Sequence, residues 1–137
     1  MKYAIPMLAA ALTLAGADLE AVKAEPNLEK RSEKAMAFAH KALDEARKDH
    51  SGYEARLEEM RAGIDLCVES LEATGKDPRR SPKYFKKAEI ELRKLIRRLD
   101  NYRIELSIDE RGPVEKLLEH AHKVHDELLL GIMTKKK

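Results

Sequence analysis

With 137 residues, of which 43% are hydrophobic, 38% charged and only 4% aromatic, the chain describes one small domain with a solvated surface and excludes a multidomain enzyme. Six Gly and five Pro are too few for a β-rich chain with many turns, whereas abundant Ala, Leu, Glu, Lys and Arg favour long helices. A formal net charge of +2 excludes a protein that binds polyanions over its whole surface.

The first seventeen residues have the pattern of a secretory signal peptide. Lys2 precedes an uncharged apolar run over residues 3–15, and Ala15-Gly16-Ala17 is a small-residue cleavage pattern. A membrane-spanning helix needs about twenty apolar residues, so we do not expect an integral membrane protein. The sequence therefore predicts a periplasmic or secreted chain.

The cleavage position is ambiguous in the sequence. Besides the site after Ala17, Val22-Lys23-Ala24 offers a second small-residue pattern, so the mature chain begins between Asp18 and Glu25. We assign residues 1–17 to the signal peptide, with cleavage as late as residue 24. Residues 18–26 are assigned to a linker.

From Asn27 onward the chain reads as four amphipathic helices, about 27–50, 52–74, 82–107 and 113–133, with a basic tail at 134–137. Their apolar residues recur at steps of three and four, the spacing of one helix face. The second and third helices show it most clearly, with Tyr53, Leu57, Met60, Ile64, Cys67 and Leu71 on one and Phe85, Ala88, Leu92, Leu95, Leu99, Tyr102 and Leu106 on the other. The first helix carries an alanine-rich face, and the fourth carries Val114, Leu117, Leu118, Ala121, Val124, Leu128 and Ile132.

Residues that typically begin or end helices lie between the four periodic segments, in agreement with the predicted boundaries. Ser51 with Glu54 forms a capping-box pattern, Ser81-Pro82 offers an N-cap followed by Pro at the first helical position, and Gly75 can end the second helix. Short connections favour antiparallel neighbours. We therefore predict an all-α, antiparallel four-helix bundle with up-down-up-down topology, in which the acidic second helix pairs with the basic third.

Small residues on the second helix point to a close contact. Gly63, Cys67 and Ser70 form a strip that we expect to pack on the alanine face of the first helix, with a flat ligand lodged between helices as the alternative. Cys67 is the only cysteine, which excludes an internal disulfide. Because it lies in mid-helix on the apolar stripe, we interpret it as buried filler and not as a nucleophile.

Residues 119–126 contain three of the five histidines. Glu119 and His122 have the i, i+3 spacing of metal ligands in helical bundles, and His122 shares a helix face with His125. A transition-metal site formed by Glu119, His122 and His125 is therefore one hypothesis. Solvated histidines on a helix flank are the alternative.

His125 also falls on the apolar stripe of the fourth helix. If the first helix runs against the fourth, Met36 lies level with His125, which places a thioether and an imidazole across one bundle. In topology, size and predicted export the chain resembles the soluble periplasmic b-type cytochromes, which hold haem between helices with Met and His as axial ligands. The resemblance implies Met36 and His125 as haem ligands, whereas a core histidine and a gap-filling methionine are the alternative. The sequence has no Cys-x-x-Cys-His attachment motif.

A basic stretch surrounds the start of the third helix. It contains Lys76, Arg79, Arg80, Lys83, Lys86 and Lys87, of which the last five are the candidate binding residues. Of the two interleaved aromatics, Phe85 belongs to the apolar stripe, so only Tyr84 is available for stacking, and export also argues against nucleic acid. The stretch is either a solvated face paired with acids or a binding surface for an acidic partner, polysaccharide or lipid headgroups. The tail Lys135-Lys136-Lys137 would add to such a surface.

The sequence contains no glycine-rich phosphate loop, paired-histidine zinc motif or nucleophile elbow. We therefore predict no catalytic residues, no required cofactor, and a non-enzymatic interaction or structural module of the cell envelope. The alternative is a carrier of haem or a transition metal near Met36 and His125. A third interpretation is an envelope chaperone or subunit that docks on itself or on another envelope protein through an exposed apolar seam, which predicts a homo-oligomer.

Overall fold

The computed structural model describes residues 18–133, which form four long helices. These are α1 (Leu28–Lys48), α2 (Tyr53–Ala73), α3 (Lys83–Glu105) and α4 (Arg111–Met133), with single 3₁₀ turns at His50–Gly52 and Ile108–Glu110. The predicted all-α class and helical bundle are confirmed. The predicted signal peptide and the basic tail lie outside the described residues. Within 18–133, no helix combines the length and apolar character needed to cross a membrane.

The helices form two hairpins that lie side by side. Four residues (49–52) connect α1 to α2 and five (106–110) connect α3 to α4, so the members of each hairpin pack antiparallel. The connection from α2 to α3, residues 74–82, is longer. It allows α1 to lie beside α3 and α2 beside α4.

The order of the ion pairs shows that α1 and α3 are parallel. Glu33 pairs with Lys87, Asp44 with Arg98, and Arg47 with Glu105 at 2.9 Å. Within residues 18–133 the backbones of α1 and α4 do not approach each other. The prediction that the first helix runs against the fourth is therefore wrong. Because the cost of closing a loop grows slowly with its length, the longer α2–α3 connection permits this diagonal placement.

The expected electrostatic pairing of the second helix with the third is also wrong. In the described part of the chain, the cations of α3 that bond to another helix bond to α1 or α4, and none bonds to α2. The physical reason is position, because α3 packs mainly on α4 and α1 and makes a smaller contact with α2. Charge complementarity between two sequences favours contact only where the packing of apolar faces brings them together.

The apolar stripes meet in one core. All seven stripe residues predicted on α3 are buried, and Leu92, Leu95 and Leu99 are fully enclosed. On α2, five of the six predicted residues are buried, and Tyr53 is half-buried because its hydroxyl donates to the Glu110 carbonyl oxygen at 3.1 Å. The periodicity therefore identifies the buried faces of both helices.

The closest helix pair is α1 with α2, around Gly63. A Cβ atom at Gly63 would lie 2.8 Å from the carbonyl oxygen of Ala35 and 3.1 Å from the Cβ of Ala39. No side chain larger than hydrogen fits there without movement of the backbone. The prediction that small residues of the second helix pack on the alanine face of the first is confirmed at this position.

Capping at the start of α2 differs from the prediction. Gly52 is the N-cap residue and has no side-chain cap, while Asp49 accepts the backbone N–H of Ser51 at 3.2 Å in the preceding turn. The capping box that does form joins Ser107 and Glu110, just before α4. This box lets α4 begin two residues earlier than the predicted position 113.

The segment assigned to a linker is partly structured. Residues 18–23 are helical, and Val22 is only 8% exposed. Val22 shares a surface groove with Phe38 of α1, and Asp18 accepts a hydrogen bond from Lys41 at 3.4 Å. Leu19 and Val22, three residues apart on one face, hold the segment on the bundle. Within the predicted linker, residues 18–23 are therefore helical and packed on the bundle.

Candidate functional site

His125, proposed from the sequence as a haem or metal ligand, bonds to a buried carboxylate. Its Nε2 donates to Glu89 at 2.7 Å, and Arg93 donates two further hydrogen bonds to Glu89 at 2.9 and 3.1 Å. Burial acts to raise the pKa of Glu89, but the bonds from Arg93 and His125 outweigh it and hold that pKa below its usual value. This arrangement ties α4 to α3 and satisfies a carboxylate that is only 8% exposed.

The proposed metal ligands do not converge. Glu119 and His122 are exposed on α4, while His125 is engaged with Glu89. Among residues 18–133, no three His, Cys, Asp or Glu side chains come close enough together to hold a metal ion. The structure therefore places His122 on a solvated flank and gives His125 a partner inside the bundle.

Met36 and His125 do not fit the axial positions of a haem. Met36 lies on α1 and His125 on α4, two helices that do not pack on each other. Met36 is 2% exposed and lines a cavity of about 270 Å³ together with Cys67 and Ala88, whereas His125 does not line it. The resemblance to the b-type cytochromes therefore does not extend to these two positions.

The cavity beside Met36 is lined by α1, α2 and α3. Glu33 and Lys87 form an ion pair with each other and also line it. Cys67 reaches the cavity from α2 but is 1% exposed, and burial raises the pKa of its thiol to about 12. The thiol stays protonated near neutral pH, which agrees with its interpretation as buried filler.

The basic residues of the α2–α3 connection are set outward by a tight turn. Gly75 has a φ of +71°, a left-handed conformation that ends α2. Asp77 then organises the turn: its side chain accepts the N–H of Arg79 at 3.0 Å, and its carbonyl oxygen accepts those of Arg80 at 3.1 Å and Ser81 at 2.8 Å. With their backbone fixed in this way, Arg79 and Arg80 are both exposed.

Four of the five predicted basic residues form a cluster that we call the basic end. It consists of Arg79, Arg80, Lys83 and Lys86, all exposed. Within residues 18–133 none of the four forms an ion pair, whereas nearby Lys76 pairs with Glu29 at 2.6 Å. Charge on the basic end is therefore not neutralised by the bundle itself.

Lys87 does not belong to the basic end. It bonds to Glu33 of α1, and this hydrogen bond raises the pKa of Lys87. The sequence places Lys87 next to Lys86, but one helical step of 100° turns it toward α1. In the structure Lys87 therefore joins α1 to α3.

The basic end lies where a helix already carries positive charge. The N-cap of α3 is Pro82, not the predicted Ser81, and it makes no side-chain capping bond. The first turn of α3 contains no acidic residue. Because a helix N-terminus carries about half a positive charge, Lys83 and Lys86 stand in an unfavourable position. A bound anion would neutralise the cations and also bond to the free backbone N–H groups.

Sequence reasoning missed the contacts that occupy three other histidines. His40 accepts from Arg98 at 3.0 Å and donates to the Glu91 carbonyl oxygen at 3.2 Å, and burial lowers its pKa. His120 bonds to Asp65 at 2.6 Å. His50 bonds to Tyr102 at 2.8 Å and Glu110 at 2.7 Å. No local pattern signals these pairs, because each partner is more than fifty residues away.

The comparisons with known proteins give no relative from which a function could be transferred. No family model matches this chain, and no curated protein or solved structure matches it.

Proposed function

We propose that this chain is an exported, non-enzymatic interaction protein of the cell envelope whose basic end binds an anionic partner. The observation that carries the proposal is the basic end itself, four exposed cations grouped at the uncapped N-terminus of α3. Such a group costs helix stability in the free protein and is stabilised when an anion binds. Binding is therefore the role that this local arrangement favours.

The interior of the bundle supports a non-enzymatic role. The Cys67 thiol is buried and protonated, which removes the one strong nucleophile from reactive chemistry. His120 and His125, which could act as bases, are held by Asp65 and Glu89 in contacts between helices. The two histidines therefore join neighbouring helices, and the thiol fills space in the core.

The N-terminal segment favours cleavage after Ala17 over cleavage after Ala24. Cleavage there retains residues 18–23, whose Val22 packs on the bundle, whereas cleavage after Ala24 would remove them. We expect the protein recovered from the periplasm or medium to begin at Asp18, and an intact mass measurement checks this. A mass that includes residues 1–17 would contradict export with processing.

Binding by the basic end is tested with a soluble polyanion, dextran sulfate. We expect the variant Arg79→Gln, Arg80→Gln, Lys83→Gln, Lys86→Gln to lose at least about tenfold in affinity, measured by titration at low salt. The reason is that all four charges are removed from one end of the bundle.

The matched control removes the same charge from elsewhere. Lys48→Gln, Arg61→Gln, Arg97→Gln, Lys116→Gln replaces four exposed cations that form no ion pair within residues 18–133. We expect this control to bind dextran sulfate nearly as the original chain does. An equal loss in both variants would show that only net charge matters and would contradict a dedicated site.

A further inference from the structure

We infer that the anionic partner is a lipid bilayer, on which the basic end docks while Leu130 and Met133 at the end of α4 enter the interfacial region. This inference rests on the proposed function, because it specifies what the basic end binds. The chain would then be a peripheral membrane protein that lies on the surface of the envelope bilayer.

Exposed apolar side chains lie at the C-terminal end of α4. Leu130 is 67% exposed and Met133 is 70% exposed, and neither belongs to the apolar stripe that packs in the core. A single exposed leucine is ordinary. Two long, flexible apolar side chains one helical turn apart are less ordinary when they lie beside a group of cations. This exposed pair is an observation separate from the basic end itself.

The structure brings these residues to the basic end. A Cβ atom at Gly131 would lie 3.6 Å from Cγ of Pro78, so the last turn of α4 packs on the α2–α3 connection. Pro78 directly precedes Arg79 and Arg80. Leu130 and Met133 therefore flank the same end of the bundle that carries the four cations. In the sequence Thr134 and the lysines at 135–137 follow Met133, outside the described residues.

The combination of cations and exposed aliphatic groups favours a lipid over the other anionic partners. Phosphate headgroups attract Lys and Arg, and the acyl boundary just beneath them accepts Leu and Met. A single-stranded nucleic acid would be expected to stack its bases on exposed aromatic rings. Tyr84, the aromatic nearest the cluster, is half-buried and has the Lys83 ammonium 5.2 Å from its ring centroid.

The position of the basic end would orient the protein. An anionic bilayer attracts the basic end, so the bundle would stand with the start of α3 toward the lipid. At the opposite end of the bundle, Glu105 of α3 is bonded to Arg47 at 2.9 Å, and Asp109 is exposed in the α3–α4 connection.

The test is co-sedimentation of the processed chain, residues 18–137, with two kinds of vesicle, phosphatidylcholine alone and phosphatidylcholine containing about one third phosphatidylglycerol. We expect binding to the anionic vesicles only. The four-Gln variant of the basic end should lose at least about tenfold in affinity, whereas the four-Gln control should not. All proteins begin at Asp18, so the apolar run at residues 3–15 does not contribute to vesicle binding.

A second pair of variants tests insertion. Leu130→Ser with Met133→Ser should weaken vesicle binding about tenfold but leave dextran sulfate binding unchanged, because only a bilayer offers an apolar phase. The control, Ile104→Ser with Ile108→Ser, changes residues 58% and 81% exposed near the α3–α4 connection and should bind vesicles normally. Circular dichroism confirms that each variant is folded.

The outcomes separate the two proposals. Binding to dextran sulfate through the basic end without binding to anionic vesicles would overturn the lipid inference and leave the proposed function standing. Equal vesicle binding by the Leu130 and Met133 variant would also overturn it, since the contact would be purely electrostatic. Failure to bind either probe would overturn both.

Discussion

Replacement of Leu95 by Asp is expected to unfold the bundle. Leu95 is fully buried on α3, so the substitution removes a large apolar side chain from the core and places a carboxylate there. The lost packing costs about 2–5 kcal/mol, and burial of an unpaired carboxylate adds several more. Because the total stability of a domain is about 5–15 kcal/mol, we expect most of the cooperative thermal transition to be lost.

The control for Leu95→Asp introduces the same carboxylate on the surface of the same helix. Asn101→Asp changes an exposed residue of α3, and we expect its free energy of unfolding to stay within about 0.5 kcal/mol of the original. Circular dichroism during heating measures both variants. A normal melting transition for Leu95→Asp would mean that the buried face of α3 is wrongly assigned.

Gly63→Ala is expected to destabilise the bundle by about 2 kcal/mol, although Ala is the better helix former by about 1 kcal/mol. The added Cβ would lie 2.8 Å from the Ala35 carbonyl oxygen. A backbone atom cannot rotate away as a side chain can, so α1 and α2 must separate along their closest contact. Urea unfolding of the original chain and the variant measures the difference.

Gly131→Ala is the matched control for Gly63→Ala. It is also a helical glycine, but its new Cβ would meet only Pro78, at the ordinary contact distance of 3.6 Å. We expect this variant to be as stable as the original chain or more stable by up to about 1 kcal/mol. If Gly63→Ala were equally stable, the close approach of α1 and α2 would be contradicted.

The helices and their buried faces could be predicted because both depend on local patterns. Steps of three and four between apolar residues specify a helix face directly, and the stripe from Phe85 to Leu106 is buried as expected. Met36 lies beside the alanine-rich stripe of α1 and not on it, yet it is 2% exposed, as the alternative of a gap-filling methionine implies. Its burial depends on α2 and α3, which line the cavity beside it, and not on its spacing.

The order of the helices around the bundle could not be predicted from the same patterns. The apolar stripe of a helix indicates which face is buried but not which neighbouring helix packs on that face. Short connections correctly indicated the two hairpins, whereas the nine residues at 74–82 allowed two placements of α3. The wrong helix order also led to the wrong prediction of haem ligands, because the pairing of Met36 with His125 assumed that α1 and α4 are neighbours.

The candidate site was predictable in part. A run of cations identifies an electropositive stretch, but whether each cation is free depends on acids from other helices. Lys87 forms an ion pair with Glu33 of α1, whereas Lys86 is exposed and forms no ion pair within residues 18–133. The exposed pair Leu130 and Met133 carried a usable signal, since both lie outside the apolar stripe of α4.

The close α1–α2 contact also bears on how the chain folds. The two helices are adjacent in sequence and joined by only four residues, so little chain entropy is lost when they meet. Contacts between neighbouring segments form early and favour rapid folding. We therefore expect the first hairpin to form early, and the bonds from Arg47 and Arg98 across α1 and α3 to form as the second hairpin packs on it.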